Sequence, residues 1–103
     1  METIKVKNWN EIPKDYTGII EFGNGDKAWY LNGNLHRENG PAFEYANGYK
    51  SWWLNDNRHR IDGPAIEDAD GYKEYWINGK KVTKQAQEVL YGFYKLKGIK
   101  YNL

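Results

Sequence analysis

Two histidine–arginine pairs, His36-Arg37 and His59-Arg60, stand 23 residues apart, each opening the phrase His-Arg-x-x-Gly-Pro-Ala. A guanidinium fork beside an imidazole donor is a pairing suited to anions and phosphates. The same pairing arises when a structural hydrogen bond is copied with a repeated unit, and that reading carries more weight here. A metal ion shared by the two histidines is excluded by distance. If each unit supplies two strands, equivalent positions lie about 9–10 Å apart, whereas zinc–nitrogen bonds span roughly 2 Å. Glu44 and Glu67 are repeat-equivalent too, and an acid–base pair needs two unlike environments. Ser51 and Thr83 are isolated, "FGNGDK" (22–27) reads as a hairpin turn, and no nucleophile elbow, phosphate loop or metal signature is present. The chain is therefore expected to be no enzyme and to hold neither metal nor cofactor.

The remaining chemistry is aromatic. Five Trp, nine Tyr and three Phe make up 17% of the 103 residues, and exposed rings mark recognition surfaces. Strand alternation sorts the rings into two columns. Trp29, Trp52 and Tyr75 share a face with Leu31, Leu54 and Ile77, and this apolar face is expected to form the core. Tyr30, Trp53 and Trp76 lie opposite, beside Ala28, Ser51 and Glu74, with Tyr49 and Tyr72 nearby. That mixed face is either an exposed binding ladder, aided by Arg37 and Arg60, or a layer covered by a helix through Leu90 and Phe93.

The elements that position these residues follow from a repeat. Residues 25–47 match residues 48–70 at 13 of 23 positions, and a third copy begins at Gly71 and breaks off near Lys80. Fixed periods of this length signal units that bury their apolar surface against their neighbours. Asn32-Gly33 and Asn78-Gly79 predict type I′ hairpin turns, and Asn55-Asp56 a weaker version. Pro41 and Pro64 suit the first position of a strand. From Thr83 the period changes: Ala86, Val89, Leu90, Phe93 and Leu96 take helical spacing, with Thr83 as N-cap and Gly98 as the residue after the last turn. The expected architecture is one mainly β domain, an antiparallel meander with a C-terminal amphipathic helix. Residues 1–17 form an N-terminal cap strand and loop, 18–80 the repeat array, and 83–97 a capping helix over the open edge.

The unit resembles the MORN repeat, a β-hairpin of similar length with a Tyr-x-Gly-x-Trp strand, an Asn-Gly turn, a following His and a later Gly. Tyr49 and Trp53 take that spacing, as do Tyr72 and Trp76, and His36 and His59 fall at the histidine position. Two departures stand out. The His-Gly-x-Gly becomes His-Arg-x-x-Gly-Pro-Ala, and the strand glycine becomes Ala28, Ser51 or Glu74. Variants of this kind resemble those in bacterial and bacteriophage reading frames. The resemblance covers about residues 18–80 and implies an interaction scaffold.

Composition narrows the partner. With 15 basic and 14 acidic residues the formal net charge is +1, which offers no clustered basic face for a nucleic-acid backbone. The short run from Lys95 to Lys100 is accounted for by a solvated helix end. There is no cysteine, and neither an apolar leader nor a stretch of membrane-spanning length is evident. The expectation is a cytoplasmic, non-membrane module, monomeric or weakly self-associating. It would bind a protein, as a phage- or mobile-element-borne inhibitor or adaptor of a host protein, through Tyr30, Trp53, Trp76, Tyr49, Tyr72, Arg37, Arg60, His36 and His59. The alternatives are a nucleotide-sequestering protein and a self-assembling array.

Overall fold

The structure, a computed structural model, describes residues 1–97, with the backbone alone of Lys97. Gly98 and Lys100 lie outside the described residues. Strands run in the order β1 (Thr3–Val6), β2 (Gly18–Phe22), β3 (Lys27–Leu31), β4 (Asn34–Leu35), β5 (Phe43–Glu44), β6 (Lys50–Ser51), β7 (Trp53–Leu54), β8 (Asn57–Arg58), β9 (Ile66–Glu67), β10 (Lys73–Ile77) and β11 (Lys80–Val82). A helix, α1 (Lys84–Lys97), follows. The fold is mainly β, and the main sheet has the spatial order β1-β2-β3-β5-β6-β9-β10-β11. Every pairing is antiparallel except the first, where β1 runs parallel to β2 with Thr3 opposite Ile19.

Each hairpin turn is built by residues that tolerate a left-handed backbone. Asn32-Gly33, Asn55-Asp56 and Asn78-Gly79 all have positive φ at both positions, the geometry of type I′ turns whose twist suits flanking strands. The five-residue β3 serves two partners. Lys27 and Ala28 pair with Glu44 and Phe43 of β5, while Tyr30 and Leu31 pair with Leu35 and Asn34 of β4. In the next unit the same path is split at Trp52 into β6 and β7, yet Trp52 keeps the equivalent bonds. Its N–H donates to Ala65 as that of Trp29 donates to Ala42.

Backbone and side-chain bonds repeat at the seams between units. The Arg37 N–H donates to the Trp53 carbonyl, and the Arg60 N–H to the Trp76 carbonyl, both at 3.1 Å. The Asp56 N–H donates to Leu35 and the Gly79 N–H to Arg58, both at 2.9 Å. Residues 1–17 close the N-terminal seam by substitution. The Tyr16 carbonyl accepts from Gly33, and the Thr17 hydroxyl accepts from Asn32.

The main apolar core lies at the N-terminal end, where Val6, Tyr16, Ile20, Phe22, Ala28 and Phe43 are buried together. This corrects the expected core column. Of Trp29, Trp52, Tyr75, Leu31, Leu54 and Ile77, only Ile77 is buried, whereas Ala28 and Ser51 on the opposite face are. Guanidinium groups cover Trp29 and Trp52, so that side carries a cationic layer in place of an apolar one.

The helix departs from expectation in how it docks. Thr83 does cap it, its hydroxyl accepting from the Ala86 N–H at 3.1 Å. The helix packs against β10, with Tyr91 and Tyr94 half-buried and Gln87 buried, the Gln87 amide donating to the Ile61 carbonyl. The stripe expected to cover the array faces outward instead, with Val89 66% and Leu96 83% exposed. Phe93 and Leu90 are exposed as well, so neither seals the second aromatic column. Positions 83, 87, 91 and 94 also share one helical face, and on that face Gln87 satisfies the Ile61 carbonyl.

Candidate functional site

The His-Arg-x-x-Gly-Pro-Ala phrase builds a clamp. Arg37 lies 3.9 Å above the Trp29 ring, donates to the Pro41 carbonyl at 3.1 Å and pairs with Glu44 at 3.5 Å. Arg60 repeats this on Trp52 at 4.1 Å, Pro64 at 3.1 Å and Glu67 at 3.6 Å, with Asp62 added at 2.9 Å. Glycine leaves room for the guanidinium, which lies against it. A Cβ at Gly40 would come within 3.1 Å of the Arg37 Cζ, and one at Gly63 within 2.9 Å of the Arg60 Cζ. The closing alanines, Ala42 and Ala65, are fully buried.

The histidines are committed as well. The Nδ1 atom of His36 accepts from the Asn55 N–H at 3.0 Å, and that of His59 from the Asn78 N–H at 3.1 Å. Burial pushes the His59 imidazole below its ordinary pKa, as accepting at Nδ1 requires a neutral ring. His36, Arg37, His59 and Arg60, with Trp52 and Tyr94, line a cavity of about 760 Å³. That space would admit a nucleotide. However, the arginines are already bonded within their own units, and Glu38 and Asp62 also face the cavity. It is a poor cradle for phosphate.

The other concave surface is aromatic. A groove of about 430 Å³ lies between Trp9, Phe43, Tyr45, Tyr49, Trp53 and Arg58, with Asp68 at its border. Its rings touch in sequence: Trp9 to Phe43 at 5.7 Å, Phe43 to Tyr45 at 4.4 Å, and Tyr45 to Tyr49 at 5.1 Å between centroids. Trp9 is 55% and Tyr45 40% exposed. Burial raises the Tyr49 pKa, which keeps its hydroxyl a neutral donor and acceptor.

One cation stands in this groove. The Arg58 guanidinium lies 5.0 Å from the Trp53 ring and 5.1 Å from the Trp76 ring. Both indoles are fixed from behind, Trp53 donating to the Ser51 hydroxyl at 2.7 Å and Trp76 to Glu74 at 2.9 Å. Glu74 also accepts from the Tyr72 hydroxyl and pairs with Lys81 at 3.6 Å. The Tyr72 and Trp76 hydrogen bonds hold its carboxyl below the usual range.

The nine expected site residues thus divide. Tyr49 and Trp53 line the groove, and Trp76 is the second ring under Arg58. Tyr72 is exposed and bound to Glu74, while Tyr30 packs on the N-terminal core. His36, His59, Arg37 and Arg60 are brought together around the other cavity. Trp9, Tyr45 and Arg58 were not anticipated. The signal for Arg58 was present, since it replaces Leu35 of the preceding unit within an otherwise repeated phrase. Trp9 sits outside the repeat, and nothing in its spacing points to the groove.

Among the described residues no three His, Cys, Asp or Glu side chains converge as a metal would need, and no helix is long and apolar enough to cross a membrane. No protein-family model matches the chain, and neither a curated protein nor a solved structure matches it.

Proposed function

We propose that this chain is a non-enzymatic, MORN-like interaction module that holds a protein partner along its aromatic groove. The observation that carries this reading is the continuous row of rings from Trp9 through Phe43 and Tyr45 to Tyr49, with Trp9 and Tyr45 open to solvent. Rigid aromatic side chains next to an arginine are the composition of interface hot spots. The repeat array serves as frame, its arginines and histidines being occupied in holding units together.

A photo-crosslinking residue in place of Tyr45, with a second at exposed Lys80 as control, tests it in a cell lysate. A protein adduct is expected at the first position only, and it should vanish when Trp9→Ser is added. An adduct that survives Trp9→Ser, or equal labelling at both positions, overturns the groove as the contact surface.

A second reading, self-association, rests on the outward stripe of α1, where Val89 and Leu96 stand 66% and 83% exposed. Sedimentation velocity decides it. Concentration-dependent dimers abolished by Val89→Lys with Leu96→Lys support it, and a monomer at all concentrations removes it.

A further inference from the structure

We propose that Arg58 anchors the groove by binding the carboxylate of an acidic side chain in an extended segment of the partner. This rests on the groove being the contact surface and adds the chemistry that it selects. The chain has three arginines, and two are saturated. Arg37 and Arg60 each hold a proline carbonyl, a glutamate and a tryptophan face of their own unit. Arg58 is different. Among the described residues its side chain makes no hydrogen bond and has no carboxylate within 4.0 Å.

Its Nε is enclosed without an acceptor, and the residue as a whole is half-buried in the groove lining. The guanidinium lies over both the Trp53 and the Trp76 ring, so less side-chain freedom is left to lose on binding. Leaving a guanidinium under-bonded is unfavourable, and the fold does not demand it. The equivalent position in the preceding unit is Leu35, which packs there against the core.

The charge around the site decides which anion fits. The groove carries one cation, Arg58, and one carboxylate, Asp68. A phosphate dianion would call for clustered cations and would be repelled by Asp68. A carboxylate carries a single charge, and its two oxygens match the guanidinium fork in one plane. The flanking rings of Tyr45 and Trp9 supply an apolar floor for the residue beside the acid. The occupant is therefore a short extended peptide with Asp or Glu next to an aromatic or aliphatic side chain.

The test uses the full chain labelled with nitrogen-15. It is titrated with a pool of short peptides carrying Glu beside aromatic residues, with a matched Gln pool, and with inorganic phosphate. The Arg58 Nε–H and the Trp53 and Trp76 indole signals report on the site. The Glu pool is expected to bind at least roughly tenfold more tightly than the Gln pool. Arg58→Leu should erase that advantage while leaving the remaining spectrum in place. Equal binding of both pools, unaffected by Arg58→Leu, overturns the carboxylate anchor and leaves the groove as a contact surface. Phosphate binding more tightly than the Glu pool also overturns the anchor. No binding by either pool overturns the anchor and the groove together.

Discussion

The His59 imidazole and the Asn78 backbone N–H, 19 positions apart in the chain, are joined by a 3.1 Å hydrogen bond across a seam between repeat units. The acceptor is Nδ1, so the ring is neutral with its proton on Nε2. The preceding seam has the same bond from Asn55 to His36 at 3.0 Å. The histidine thus makes the structural hydrogen bond, copied with the unit, that the repeat itself suggested.

Removing that acceptor orphans a turn N–H. His59→Ala is expected to destabilise the fold by about 2–4 kcal/mol, combining the orphaned donor with a cavity at a buried ring. His36→Ala, at a ring with 13% side-chain exposure, should cost less. Urea denaturation of both variants checks the order.

The same ring sets a pH window. Burial lowers the folded His59 pKa from its ordinary 6.5, so the unfolded chain takes up a proton first. Stability should be full above about pH 6.5 and fall as pH drops below it, levelling off under the lower folded value. Glu74 acts in a separate, more acid window. Its folded pKa lies below 4.5, so its contribution is present above that value and is lost as pH falls through the folded one. Denaturation midpoints between pH 5 and 7 should lose their slope in His59→Gln.

The arginine clamp predicts non-additivity. Arg60→Ala and Gly63→Ala each disturb the same guanidinium, which would lie 2.9 Å from an added Cβ. Each is expected to cost about 1–3 kcal/mol, and the double variant clearly less than the sum. Arg60→Lys should not rescue, because an ammonium lacks the planar fork that meets Asp62, Pro64 and Trp52 together. A thermodynamic cycle from chemical denaturation measures the coupling.

Arg58 should behave unlike its neighbours. Arg58→Leu gives up two ring contacts and relieves an enclosed, unbonded Nε, so stability should stay within about 1 kcal/mol of the parent. Arg37→Leu, which loses Pro41, Glu44 and Trp29 contacts, should fall by about 2 kcal/mol or more. Equal losses in the two variants would show that Arg58 is structural.

Helix docking gives a further contrast. Gln87→Ala removes the one bond from α1 to the Ile61 carbonyl and is expected to cost about 1–2 kcal/mol, with faster hydrogen exchange confined to α1. Val89→Lys, on the exposed stripe, should stay within about 0.5 kcal/mol of the parent.

Much of the frame was legible because it depends on local rules. Asn32-Gly33 and Asn78-Gly79 announce their turns, and Thr83 announces the start of α1. The weak turn at Asn55-Asp56 forms with help invisible locally, since the Asp56 carboxylate accepts from the Leu35 N–H at 2.6 Å, 21 residues away. Face assignment failed for a similar reason. Alternation placed Trp29 and Trp52 on the apolar side, but the cover they receive is the arginine eight residues later in each unit. The parallel pairing of β1 with β2 had no signal in the residues. The groove was legible only in part: Tyr49 and Trp53 follow the period, whereas Trp9 arrives from the N-terminal loop.

The seam bonds have an evolutionary consequence. At each junction the imidazole belongs to one copy of the 23-residue text and the turn to the next. An in-frame duplication of one unit would therefore bring both halves of a new fastening at once. The terminal segments would need no redesign, and the Leu-or-Arg choice of positions 35 and 58 would decide whether the new copy carries an apolar or a charged side chain at that place. Length can thus change in a single genetic step.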